Sequence, residues 1–476
     1  MRARSNVRVG AAISVAVLVF WSPPIAVGED RGVVADLRRE IEDVRRQMRA
    51  LEEKLKQLEE RAGAASAPPP APPPAALAAV PAPPPRAPWS PAQPMALLSG
   101  ARGYLNLSFD ALVDFGWSTN REVTALQRGD HDPIERGFTL PNEEIFLDGA
   151  VDPYFQGVAD IVFKLNEDNE TEVELEEVYL TTASLPWNLQ VKAGQFFTEF
   201  GRLNQQHPHA WDFVDQPLVI GRMLGPEGLR NPGARASWLA PTPFYSELFL
   251  AVQNSQGGTA FSFRNTEEAA LFGRPAADRP VRGPWDLLLA PRYVASFDLS
   301  DSQALVAGLS GAFGPNASGT STRTQIYGGD LYWKWKPAWQ SGGFPFLSWQ
   351  TELLGRRYEA GAAEIRDPAA PDLPPLELPR ESLYDWGLYS QVLYGFTQRW
   401  VAGLRGDWVT GGRGAFRPDE NRADRYRIAP NLTFHLTEFS KIRLQYDYDH
   451  GQILGSDSSV WTQVEFLLGA HAAHKF

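Results

Sequence analysis

The sequence predicts an all-β fold: a transmembrane antiparallel β-barrel of about 16 strands, preceded by a signal peptide, a coiled-coil helix and a Pro-rich linker. Three observations lead there. Apolar and polar residues alternate from Leu105 to Trp117, a stretch of 13 residues. That is longer than a typical strand of a soluble sheet and suits a tilted strand that crosses a bilayer. Similar stretches recur to the end of the chain, joined by tight turns at one end and mostly long connections at the other. The last stretch, Val460 to Phe476, holds one apolar phase and ends on an aromatic residue.

Composition narrows the alternatives. The 476 residues include no Cys, which removes disulfides, Cys-x-x-Cys metal or redox sites and thiol nucleophiles. With 57 Asp+Glu against 45 Lys+Arg, the chain lacks the basic excess of a nucleic-acid binder, and no nucleic acid partner is expected. After Trp21 no apolar run approaches the roughly 18 residues needed for a membrane-spanning helix.

At the start of the chain, Arg2, Arg4 and Arg8 precede an apolar stretch, Gly10 to Trp21, and the small-residue pattern Ala26-Val27-Gly28. This is the layout of a secretory signal peptide, residues 1–28. Val34, Leu37, Ile41, Val44, Met48, Leu51, Leu55 and Leu58 then alternate spacings of three and four, which predicts a self-associating coiled coil over 29–62. Residues 63–99 turn to Ala and Pro, with 13 Pro between Gly63 and Met95, the composition of a stiff polyproline II spacer. At about 3.1 Å per residue its reach is roughly 90 Å, enough for contact with the cell wall.

From residue 100 to 476 the alternation gives strands near 104–117, 139–152, 155–165, 172–184, 189–200, 233–240, 245–253, 291–299, 304–313, 324–336, 346–358, 382–396, 400–409, 425–436, 440–450 and 460–476. Connections after the even-numbered strands are mostly tight, as in Asp152-Pro153-Tyr154. Several after the odd-numbered ones are long and polar in this reading: 118–138, 201–232, 254–290, 359–381 and 410–424. Short turns at one end and long loops at the other mark an outer-membrane barrel. The expected location is therefore the bacterial outer membrane, with lipid as a partner and the coiled coil in the periplasm.

These residues resemble the phosphate-selective porin O/P family of 16-stranded trimeric porins. The resemblance covers roughly 100–476. It is strongest where Phe146-Leu-Asp-Gly149, Asp152-Pro-Tyr-Phe155, Glu177-Val-Tyr-Leu180 and Val191-Lys-Ala-Gly-Gln-Phe196 run in order. It implies a homotrimer of diffusion channels with no cofactor. The family's basic ladders are not matched: from Gly100 onward there are 32 Lys+Arg against 47 Asp+Glu, and the inward phase mixes signs. Asp110, Lys192, Arg235, Glu352, Arg405, Asp407, Arg443 and Asp447 are the pore-lining candidates of that phase, and charge rings select ions by sign.

The third connection on the long-loop side, 201–232, is the candidate constriction, carrying Arg202, His207, His209, Trp211, Asp212 and Asp215. Two His one residue apart on extended chain point the same way, and with Asp212 or Asp215 they could ligate zinc. The plainer reading is that these Pro-flanked residues lock the loop by hydrogen bonds and packing. His471 and His474 fall on opposite faces of a strand. No Gly-x-Ser-x-Gly elbow or other catalytic constellation stands out, so no enzyme is expected. Three functions fit the sequence: passive diffusion of small hydrophilic solutes or ions, an envelope tether through the coiled coil, and metal-ion uptake or binding.

Overall fold

The computed structural model describes Gln93 and residues 95–469, except 101–102, 128, 167, 268–269 and 367–373. The expected signal peptide, the coiled coil, most of the linker and the end carrying His471, His474 and Phe476 lie outside the described residues. Sixteen long strands form one antiparallel ring: β1 (Tyr104–Ser118), β2 (Gly137–Ala150), β3 (Phe155–Leu165), β4 (Thr171–Thr182), β5 (Leu189–Phe197), β6 (Arg230–Leu239), β7 (Tyr245–Gln253), β8 (Leu288–Ser300), β9 (Gln303–Pro315), β10 (Arg323–Trp335), β11 (Phe346–Ala360), β12 (Glu381–Thr397), β13 (Trp400–Gly411), β14 (Arg425–Thr437), β15 (Ser440–Gly451) and β16 (Gly455–Leu468). β16 closes the ring on β1, from Phe109↔Leu468 to Ser118↔Ser459. Beyond that point β1 pairs with a short strand, Met95–Ser99, at the end of the expected linker. Among the described residues no helix is long and apolar enough to cross a membrane.

The alternation read in the sequence leaves open which face is inside, and side-chain exposure answers it. Trp117, Leu309, Tyr327, Trp386 and Leu404 stand outward and are all more than half exposed, while their strand neighbours Asp114, Arg405, Arg427 and Asp447 are buried. So large an apolar exterior is stable against lipid and not against water. The short turns gather at one end; at the first of them Asp152 accepts the backbone N–H groups of Tyr154 (2.8 Å) and Phe155 (3.1 Å).

One departure from regular pairing bears on the interior of the barrel. Opposite Asp160 of β3 the register shifts, with Asp160↔Glu177 followed by Ile161↔Leu175. Glu176 is thus the extra residue of a β-bulge, which re-aims side chains locally. Consecutive Glu176 and Glu177 are both buried, whereas Val173, Leu175, Val178 and Leu180 are all exposed. β5 holds the bulge in place: the Gln195 amide donates to the Glu176 carbonyl at 3.3 Å and also to that of Leu175. Gly194, paired with Tyr179, has φ +142, and a Cβ there would overlap the Val178 carbonyl. The Gly-Gln step of Val191–Phe196 therefore serves the bulge.

Gly194→Ala should accordingly destabilise the barrel by more than about 2 kcal/mol, read as a lower midpoint for urea unfolding in lipid vesicles. In the 254–287 connection, the Arg282 hydrogen bond, helped by Arg279 and opposed by burial, holds Asp286 at about pKa 2. A depressed carboxylate pKa contributes stability present above the ordinary value near 4 and lost on descending toward 2. Exchange labelling around Asp286 should show protection at pH 5 that falls away by pH 2.5.

Candidate functional site

The chain from Thr198 to Leu229 leaves β5, enters the barrel and crosses it. The sequence reading of a long polar connection needs correction here: Leu203, Trp211, Phe213, Val214, Leu218, Val219, Ile220, Met223, Leu224 and Leu229 are all buried. A short helix, α1 (Leu218–Leu224), starts after Pro217 and ends at Gly225, φ +118. Its Leu218, Val219, Ile220, Met223 and Leu224 form one apolar core with Leu288, Ala312, Ile326, Leu354, Tyr389 and Val409 of the wall and with Ala260 and Phe263 of the next connection. Each such fully buried aliphatic side chain contributes about 1.5–3 kcal/mol. The lumen thus holds an apolar cluster in which α1 packs against the wall from β8 to β13.

The backbone of this segment is bonded by wall side chains almost residue by residue. The Gly201 N–H donates to Ser310 of β9 (3.0 Å). Arg202 and Leu203 donate theirs to Glu352 of β11 (3.1 and 2.9 Å), whose carboxylate lies where a Cβ on Gly201, φ +60, would sit. Val214 donates to Gln445 (2.8 Å), Gln216 to Asp132 (2.9 Å) and Leu218 to Asp407 (3.2 Å). Carbonyls are met by cations and amides: His209 by Lys441 (2.8 Å), Trp211 by Arg443 (2.7 Å), Asp212 by Asn431 (2.8 Å), Asp215 by Arg405 (2.7 Å) and Arg222 by Arg356 (2.7 Å).

Two side-chain clusters anchor the segment to separate arcs of the ring, β13–β15 and β2–β4. On one, Asp215 bonds Arg405 of β13 (2.9 Å), Arg427 of β14 and Gln445 of β15 (2.5 Å), and Arg405 also bonds Asp407 (2.8 Å). On the other, His207 Nδ1 faces Glu176 Oε2 at 2.6 Å, Asp160 Oδ2 at 3.1 Å and Glu144 Oε1 at 3.6 Å, and its Nε2 faces Glu177 Oε2 at 3.2 Å. His209 stacks on His207, with centroids 5.8 Å apart, and its Nδ1 lies 3.1 Å from Glu144 and 4.0 Å from Asp110.

The structure therefore places every pore-lining candidate on the inward face, but beneath or beside this segment and its neighbours. Asp110, Arg235, Glu352, Arg405, Asp407, Arg443 and Asp447 are each no more than 3% exposed. Lys192 is partly open, 3.6 Å from Glu199 and over the Tyr179 ring. Arg235 bonds Glu199 at 2.8 Å, and Asp447 accepts from Gln445 at 2.8 Å. Arg202 lies against Gln350 and the Tyr332 ring, and Trp211 donates to the Gln206 carbonyl.

The rings of His207 and His209 stack, but His209 lies in a 3-10 turn, Pro208–Ala210, and not on extended chain. Asp212 and Asp215 do not join them, because Asp212 accepts from Gln391 (2.9 Å) and Asp215 serves the Arg pair of β13 and β14. The carboxylates beside His207 are Glu144, Asp160, Glu176 and Glu177, contributed by β2, β3 and β4. A slip in phase was their sequence signal: apolar positions at Val173 and Leu175 move to Val178 and Leu180 across the Glu pair.

Asp215→Ala leaves two buried guanidinium groups short of their shared partner and should cost about 3–5 kcal/mol. Asp212→Ala loses one amide bond and should cost about 1 kcal/mol. Urea unfolding in lipid vesicles separates the two.

No family model matches this sequence. An uncharacterised protein of Aquifex aeolicus (strain VF5) is 34% identical over 386 residues, 75% of each chain. Among solved structures, the outer-membrane channel DcaP of Acinetobacter baumannii matches 78% of this chain and 99% of its own, with TM-score 0.50 and 12% identity. The trimer form of OmpT, an outer-membrane protein of Vibrio cholerae, matches 77% of this chain and 99% of its own, with TM-score 0.45 and 8% identity. At 12% identity the likeness to the channel is one of fold.

Proposed function

The chain belongs to the same family as the Aquifex aeolicus protein, and we propose that it acts as an outer-membrane porin. In this reading residues 1–28 direct export, the barrel resides in the outer membrane as a homotrimer, and small hydrophilic solutes or ions diffuse passively through each barrel. The observation that carries the proposal is the inverted arrangement of polarity in a closed ring of 16 strands, with aromatics and aliphatics outward and charge inward. A polar lumen bounded by lipid has a natural use as a water-filled path.

The crossing segment limits what that path admits. Its apolar core packs against the wall from β8 to β13 and fills that part of the lumen, so passage is confined to the space beside it, and the working solutes are small. Phosphate selectivity forms no part of the reading. Arg292, Arg356, Arg405 and Arg427 are each paired with a wall carboxylate, so these charges are neutralised locally and do not form a basic ladder.

Purified protein in a planar bilayer should give discrete but small conductance steps. Replacing residues 203–227 by a short Gly-Ser link should enlarge the step severalfold. A bilayer silent with both proteins would overturn the channel reading, and equal steps would overturn the role given to the segment.

A further inference from the structure

We propose that the chain binds one divalent transition-metal ion between Glu144, Asp160, Glu176 and His207, pinning the crossing segment to β2, β3 and β4. One ligand atom from each of these four residues lies within 4.8 Å of the other three, and all four residues are buried. The donors come from three neighbouring strands and one inserted segment, and the bulge at Glu176 brings the third carboxylate to the group. Three carboxylates and one imidazole suit zinc or manganese. Tetrahedral bonds of about 2.0 Å set ligand atoms roughly 3.3 Å apart; the three carboxylate oxygens stand 2.6, 3.1 and 3.6 Å from His207 Nδ1.

The second ring nitrogen supplies an independent reason. His207 Nε2 faces Glu177 Oε2 at 3.2 Å, and the other oxygen of Glu177 accepts the Phe197 N–H at 3.0 Å. A metal-binding imidazole commonly donates its remote N–H to a carboxylate in this way, which turns the opposite lone pair toward the ion. With Nε2–H given to Glu177, Nδ1 is an acceptor beside three acidic groups, and a cation between them removes the repulsion.

Asp160 makes the same point from the wall. It is fully buried, and neither of its oxygens receives a hydrogen bond. A buried carboxylate in that position is costly without compensating charge. A single Nδ1 proton could serve one carboxylate, and Glu176 at 2.6 Å is nearest. The neighbouring trio Asp130, His131 and Glu174 also has metal-like spacing, but there the Lys164 ammonium bonds Asp130 and Glu174. Among the described residues no Lys or Arg bonds Asp160.

This assignment does not rest on the channel reading, and its test does not measure conductance. Folded protein stripped with a chelator and dialysed against zinc chloride or manganese chloride alone should retain about one ion per chain by elemental analysis. The manganese form should show magnetic coupling to one imidazole nitrogen. Asp160→Asn, with folding checked by heat-modifiable gel migration, should weaken binding at least tenfold, whereas Asp212→Asn should leave it unchanged. If Asp160→Asn does not fold, Glu144→Gln takes its place, and the nitrogen coupling in the unsubstituted protein remains decisive. No retained ion, equal retention by the substituted protein, loss on Asp212→Asn, or manganese without nitrogen coupling would each overturn the assignment.

Discussion

A peptide segment withdrawn from water must still bond its N–H and C=O groups, and regular structure is the usual way to do so. Residues 198–229 enter the barrel with little regular structure of their own, so the wall has to supply partners of both kinds. Carboxylates and amides on the wall take N–H groups, as Glu352, Asp407 and Gln445 do, while Arg443, Lys441, Asn431, Arg405 and Arg356 take carbonyls. The mixture of signs that defeats any charge-ladder reading of the lumen is the mixture a backbone requires. Charges aimed at a permeating ion could share one sign; charges aimed at a peptide cannot.

The same constraint gives meaning to the Val191–Phe196 stretch that prompted the resemblance to a porin family. Gly194 lets β5 come close to β4, Gln195 occupies carbonyls freed by the bulge, and the bulge turns Glu176 and Glu177 together toward His207. Glu177 also accepts the Phe197 N–H at the point where β5 gives way to the crossing segment. A motif that looks like strand geometry in the sequence is the device by which one face of the wall holds the inserted chain.

Much of the fold was legible because a barrel strand writes its two faces into every second residue. The turn at Asp152, the 13-residue stretch at 105–117 and the even strand count all come from that period. The insertion of 201–232 into the barrel was legible too, from its place as the third connection on the long-loop side. Its apolar content was overlooked, although Leu218-Val-Ile and Met223-Leu stand plainly in the sequence, because neighbouring connections of similar length are polar. The partners of His207 were harder to find. Strict alternation allows Glu174 and Glu176 to share a face but excludes Glu177, and only the slip of phase between Leu175 and Val178 reveals a bulge. Asp212 and Asp215 are close to His207 in sequence but not in space, because Gln391 and the Arg cluster hold those carboxylates on β12 to β14.

The two-sided anchoring of the segment also orders its assembly. His207 meets Glu177 across 30 residues of chain, whereas Asp215 meets Arg405 and Arg427 across 190 and 212. Closing the longer loops costs roughly 2 kcal/mol more in chain entropy. The histidine side can dock on β2, β3 and β4 while most of the wall is still missing. The inserted segment thus has one anchor that chain entropy favours and one that must wait for distant parts of the chain to meet.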